Sequence, residues 1–267
     1  MAARPPSTGM TVPLTKLAPA DSRKATTAAT SSGRHGGPAR RRKGSGRGGV
    51  VPGMQVEIWS DVVCPWCYLG KRRFERALQS FSHRDEVEVT YHSFELSPGT
   101  PAGETTPTVE RLAANYRMTR EQAQNAQREM EQRAAGEGLK FRMADLRSGN
   151  TRDAHRLLHL AKDRGLQAGL AEALHRAYFT EQASIFDHES LTAIAVAAGL
   201  DADEVRRVLE GQEYDDAIDT DEAMAQAIGA TGVPLFVIDR RYGISGAQPP
   251  ELITETLEKA WAEAAAS

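Results

Sequence analysis

Val56-Glu57-Ile58-Trp59-Ser60-Asp61-Val62-Val63-Cys64-Pro65-Trp66-Cys67 is the stretch whose reading decides the fold. An apolar run of strand character ends in two cysteines three positions apart, and a helix-like segment from Tyr68 to Phe81 follows. These are the only cysteines among 267 residues. A strand running into C-x-x-C at the start of a helix is the setting of redox dithiols. At such a helix start Cys64 meets unpaired backbone N–H groups and the positive end of the dipole, which favour a thiolate. Cys67, one turn on, returns to the same face, so one sulfur can attack a disulfide and the other can resolve the mixed disulfide. Pro65 fits the first helical position, where its missing N–H has no helical partner.

Other uses of a cysteine pair fit less well. Tetrahedral zinc needs four ligands, and no second cysteine pair or H-x-x-x-H run supplies them, so no metal is expected. A disulfide closing so short a loop would add little stability to a chain of this length. Inert burial in a core is the remaining alternative.

Working outward, Val87, Val89 and Tyr91 alternate as a second strand, which makes strand, helix, strand the beginning of a βαβ unit with parallel strands. More than a hundred residues of helical pattern follow the Pro- and Gly-punctuated connection at 97–107. Thr119 with Gln122 and Asp201 with Glu204 read as capping boxes; Gly136, Gly199 and Gly211 read as stops. Strand signals return at Leu235 to Ile238 and at Gly243 to Gly246, a hairpin, and a helix from about Pro250 to Ala264 closes the chain. The expected class is α/β, in the order βαβ…ββα, with an inserted all-helical subdomain. Its divisions are a tail at 1–53, a first βαβ part at 54–100, the insert at 101–215 and a second, ββα part at 216–267.

Met1 to Gly53 is rich in Pro, Ser, Thr, Gly, Ala and Arg and has no apolar period, so it reads as disordered. Of the 33 basic and 36 acidic residues, ten and one fall in this tail and 23 and 35 in the remainder, a body near −12 behind a tail near +9. Arg40 to Lys43 could touch an acidic surface, but without aromatic interleaving a nucleic-acid partner is not expected. The tail also has a transit-peptide composition, although no amphipathic helix is evident. The preferred reading is a dispensable extension. No apolar leader of secretory type opens the chain and no run of 18 apolar residues could span a membrane, so the expected setting is cytoplasmic and membrane-free. There a C-x-x-C is more plausibly catalytic than structural.

The opening stretch through Gly70, the run Asn150-Thr151-Arg152-Asp153-Ala154-His155, and Thr231-Gly232-Val233-Pro234 with Gly243-Ile244-Ser245-Gly246-Ala247-Gln248 resemble the DsbA-like oxidoreductases of the thioredoxin superfamily, specifically the FrnE-like subgroup. The resemblance spans nearly everything from Met54 onward. It implies a thioredoxin-like fold (βαβ…ββα) and a protein dithiol–disulfide oxidoreductase with Cys64 as nucleophile and Cys67 as resolving thiol, acting on protein or small-molecule disulfides. No bound cofactor is implied, only redox exchange with glutathione or a thioredoxin. It also implies a cis proline at Pro234 facing the cysteines, with the backbone of Val233 available to an extended substrate, and it borders the groove above them with the helix start bearing Asn150 and His155.

Asn150 or Thr151 also suits an N-cap, and Asp153 suits the first helical turn, so capping explains part of that motif. Asp61 could relay a proton to the resolving thiol or end the strand as a turn residue. Lys71, Arg72 and Arg73 read as a solvated face. Trp66 brings no charge, so the couple should be less oxidising than the roughly −120 mV of DsbA. Two alternatives remain. One is a glutathione-dependent enzyme like the kappa-class transferases and 2-hydroxychromene-2-carboxylate isomerases, which resemble this chain but usually carry serine where it has Cys64. The other is a binding module that uses the basic tail.

Overall fold

The computed structural model describes residues Thr11–Pro13 and 53–266. Within the tail read as disordered, Thr11–Pro13 forms a short strand, β1. The rest of that expectation, Arg40 to Lys43 included, lies outside the described residues.

The sheet forms around the strand that leads into the cysteine pair. β2 (Met54–Ser60) and β3 (Val87–Ser93) pair in parallel from Met54 opposite Val87 to Ser60 opposite Ser93, and α1 (Pro65–Ser80) connects them. β6 (Leu235–Ile238) runs antiparallel to the other side of β2, with Ile58 opposite Phe236, and pairs with β7 (Tyr242–Ser245). β1 adds antiparallel to β7, giving the order β1-β7-β6-β2-β3. β2 thus has a strand on each side, which suits its near-continuous burial.

The β6–β7 turn places Asp239 and Arg240 at φ +49° and +54°, a region that non-glycine residues seldom occupy. Both are held from β2. The Asp239 carboxylate accepts from the Gln55 N–H at 2.7 Å, and Arg240 reaches the Glu57 carboxylate at 3.2 Å.

Between β3 and β6 lie α2 (Thr108–Tyr116), α3 (Arg120–Gly136), α4 (Arg152–Asp163), α5 (Gln167–Phe179), α6 (His188–Ala197), α7 (Ala202–Glu210) and α8 (Asp215–Ala227). The insert is not purely helical. β4 (Thr106–Pro107) and β5 (Arg147–Ser148) form a small antiparallel ribbon where two loops meet.

The Thr119–Gln122 capping box is present in both halves. At α7 only half of one forms. Asp201 accepts from the N–H groups of Asp203 and Glu204, whereas the Glu204 carboxylate is taken by Arg164. Gly136 continues α3 rather than stopping it; Gly138, at φ +77°, makes the turn.

One wall serves two cores. α1 sets Phe74 and Ala77 against the sheet and α9 (Pro250–Ala265), while Tyr68 and Leu69 enter the helical core with Leu157, Leu174 and Phe179. The Tyr68 ring stacks on His175 at 5.0 Å and on Phe141 at 5.6 Å. The helical layer is therefore packed onto the cysteine-bearing helix α1.

Candidate active site

The cysteines occupy the start of α1. Cys64 is the N-cap with extended backbone (φ −86°, ψ 114°), and Pro65 stands in the first turn. The turn before it is fixed by the Cys64 N–H donating to the Asp61 carbonyl at 3.1 Å, and the Cys67 N–H returns to the Cys64 carbonyl at 3.0 Å. Both thiols are free and close together, at 4% and 3% exposure. Burial first, and then the neighbouring Cys64 sulfur, hold the Cys67 thiol well above its ordinary range, while hydrogen bonds from Ser60 and the Asp61 backbone act the other way.

Cys64 Sγ donates to the Val233 carbonyl at 3.6 Å, and the Val233–Pro234 peptide is cis. Behind Pro234, its carbonyl accepts from the Gly246 N–H at 2.8 Å, and Arg73 donates to the Ala247 carbonyl at 2.7 Å. Three separated motifs thus meet at one place, and Gly70 is what lets them. A Cβ there would lie 2.9 Å from Pro234 Cγ, 3.4 Å from Phe236 and 3.5 Å from Ala247. Gly70→Val is expected to lower stability by about 1–3 kcal/mol through overpacking. Displacing the Val233–Pro234 segment from Cys64 should also slow single-turnover exchange by about tenfold. Thermal unfolding and stopped-flow thiol kinetics check both.

The remaining sequence candidates fall around this centre. Trp66 packs at the edge of the helical core, with the Arg133 guanidinium 6.0 Å from its ring. Tyr116, 41% exposed at the end of α2, is close enough for the Cys64 sulfur to act, after burial, in pushing its phenol up.

Asp61 is both a turn residue and a buried acid. Its Oδ2 accepts from the Leu96 N–H at 2.8 Å, and its Oδ1 faces His155 Nε2 at 3.4 Å without hydrogen-bond alignment. His155, placed by resemblance at the groove, is instead 1% exposed in the interior, because it lies on the face of α4 that packs toward the sheet. Asn150 is bound within the protein. Its amide donates to the Thr100 carbonyl, and its Oδ1 accepts from the Arg152 N–H, which caps α4 from one residue before the Thr151 N-cap.

The basic triplet after the cysteines is not a solvated face. Lys71 is 5% exposed and bonds to Glu75 and Glu172; Arg72 shares both partners, and Arg73 reaches Glu137 at 2.7 Å. Glu172 and Glu137 come from the insert, so their pairing with α1 had no local signal in the sequence. Ser60, Gly70 and His175 likewise drew no separate reading; only the glycine so soon after the cysteines could have been noticed. Among the described residues no group of three or more His, Cys, Asp or Glu side chains is arranged to hold a metal.

The DSBA-like thioredoxin domain family matches residues 55–258. The chain belongs to this family. A probable DsbA oxidoreductase of Streptomyces coelicolor is 52% identical, with TM-score 0.76 over 79% of this chain and 91% of its own. The uncharacterized protein YwbO of Bacillus subtilis is 28% identical over 69% of this chain and 86% of its own. The cytosolic disulfide reductase DsbM of Pseudomonas aeruginosa, solved with glutathione, shares the fold at 17% identity and TM-score 0.53, over 77% of this chain and 98% of its own. In this DsbA-like domain the paired sulfurs and the Val233–Pro234 segment form one buried centre, and no helix among the described residues is long and apolar enough to cross a membrane.

Proposed function

We propose that this DsbA-like protein is a thiol–disulfide oxidoreductase of the FrnE-like kind, in which Cys64 attacks a disulfide and Cys67 resolves the resulting mixed disulfide. The observation that carries the reading is the pair of neighbouring sulfurs at the α1 N-terminus, with Cys64 held against the Val233 carbonyl. Attack by Cys64 breaks the substrate S–S bond and releases one substrate thiol. Cys67 then attacks Cys64 Sγ, and the second substrate thiol leaves with the electron pair. The two sulfurs hold the electrons, so the reaction needs no other cofactor. Glutathione or a thioredoxin would restore the dithiol, in keeping with a cytoplasmic setting.

Equilibration in graded glutathione buffers, with free thiols counted by mass, tests this directly. The expected result is a two-electron transition between about −270 and −120 mV, more reducing than DsbA because Trp66 adds no cation beside the nucleophile. Thiols that stay free under strong oxidant would remove the reading.

A further inference from the structure

Where β2 and β3 end against α4 and α5 lies a small cavity lined by Ser60, Tyr91, His92, Ser93, His155 and His175, with Val62, Leu158 and Ala171 completing its wall. It has room for about one water molecule. Two features set it apart from a packing defect. Both ring nitrogens of His155 are buried without a hydrogen-bond partner in the protein, as is Asp61 Oδ1, although buried polar groups are ordinarily paired. Ser60 lines the cavity and is close enough to the Cys67 sulfur for its hydroxyl to favour the thiolate. The other two histidines on the wall each have a partner at Nδ1, although His92 Nε2, 3.3 Å from Glu57, also lacks an aligned hydrogen bond. His175 Nδ1 is 3.2 Å from the Val62 carbonyl, and His92 Nδ1 bonds to Asp221 at 2.6 Å.

We propose that Ser60, a water in this cavity, and His155 backed by Asp61 form the path that removes the proton from Cys67 during resolution. The inference rests on the exchange reading above. Cys67 is a buried thiol and must become a thiolate before it can attack Cys64 Sγ, yet bulk water does not reach it. The S–H proton passes to the Ser60 hydroxyl, whose own proton moves to the water, and the water gives one to a nitrogen of His155. The imidazolium is then stabilised by the Asp61 carboxylate at 3.4 Å. The Cys67 electron pair forms the Cys64–Cys67 bond, the bond from Cys64 to the substrate sulfur breaks, and the substrate leaves as thiolate. The oxidant is the substrate disulfide. In the reverse direction the same path returns the proton to Cys67.

The groups facing His155 are Asp61 from the turn after β2, Tyr91 and His92 from β3, Glu95 just beyond β3, and His175 from α5. Burial lowers His175 to about 4, so it is neutral near pH 7 and adds no charge. Burial also raises Glu95. Asp61 is therefore the counter-charge nearest to the His155 ring. His155 acts through Ser60 and water and is a positioning residue for the proton.

The test is single-turnover oxidation of the reduced full-length protein by glutathione disulfide, with the mixed disulfide and the Cys64–Cys67 disulfide followed by mass across pH 5.5–9 as about ten points. His155→Gln should accumulate the mixed disulfide and convert it about ten- to a hundredfold more slowly near pH 6.5, with the gap closing at high pH as hydroxide takes over. Ser60→Ala, a smaller change in a partly exposed residue, should shift the profile in the same direction. A merely structural role for His155 would lower the melting temperature without changing the shape of the pH profile. Profiles that superimpose for the wild type and both variants would overturn the relay while leaving the exchange reading intact. No mixed disulfide in any of the three proteins would overturn both.

Discussion

Replacing Cys64 by serine is expected to lower the rate of disulfide reduction by at least about a thousandfold, because a hydroxyl cannot form the mixed disulfide on which turnover depends. The fold should be little changed. Cys64 contributes its backbone carbonyl to the first turn of α1, and serine is a favoured N-cap residue, so the helix start retains its hydrogen bonds. Cys67→Ser should behave differently. It leaves the nucleophile in place and halts the reaction at the mixed disulfide, which mass measurement would show as a stable adduct on Cys64. Insulin reduction and adduct mass, taken on both variants, decide between exchange and the glutathione-dependent alternative. An isomerase or transferase would survive Cys67→Ser and would tolerate serine at position 64.

The largest expected loss of stability comes from Asp221→Ala, at the buried junction of α8, β3 and α4. Asp221 Oδ1 bonds to His92 Nδ1 at 2.6 Å, Oδ2 accepts from the Ser93 N–H at 2.8 Å, and His159 Nε2 lies 3.3 Å away. The Asp221 carbonyl also accepts from Trp59 Nε1, and the Trp59 ring stacks on His92 at 4.5 Å. Burial works against the charged carboxylate, yet the hydrogen bonds from His159 and His92 hold it well below the usual carboxylate range. Burial likewise opposes charge on His92, but Asp221 and Glu57 raise it above its ordinary value. Removing the carboxylate leaves a buried histidine and a buried amide without acceptors, a cost of about 3–5 kcal/mol. For a chain of this size that is about 10 °C in Tm, measurable by calorimetry.

The pH dependence has a definite sign. The Asp221 contribution is present above its unfolded value of about 4 and is lost as pH falls through its lower folded value. The His92 contribution is complete below its unfolded value of about 6.5 and is lost as pH rises through its raised folded value. The difference in stability between the wild type and Asp221→Ala should therefore be greatest between about pH 4 and 6.5 and shrink on either side. A difference constant from pH 4 to 9 would show that packing, not charge, sets the cost.

Much of the frame is local in origin and could be read without a structure. The β2 strand, the cysteine pair, the parallel β3, the β6–β7 hairpin and the Thr119 capping box each depend on residues within a few positions of one another, and period, turn chemistry and caps are recorded at that range. The helical insert was legible for the same reason. The β4–β5 ribbon was not, since its two-residue strands have too few side chains to show a period.

The site was legible only where it is contiguous. Cys64, Pro65, Trp66 and Cys67 stand together in the chain, and their chemistry follows from spacing and helix position. Lys71 seemed solvent-facing because its helix is amphipathic toward the sheet alone; the second face became an interior only when α5 supplied Glu172. His155 was expected at the groove by resemblance alone, since a helix start carries no record of which side will be covered, and the packing of α4 toward β3 turned it inward against Asp61. The sequence by itself determined that a dithiol follows a buried strand and begins a helix, because backbone propensity and sulfur spacing are short-range properties. Only the tertiary structure decided that Val233 would meet Cys64, that Gly70 would admit Pro234, and that a histidine and a carboxylate would be enclosed together, because burial and charge pairing depend on which distant surfaces come together.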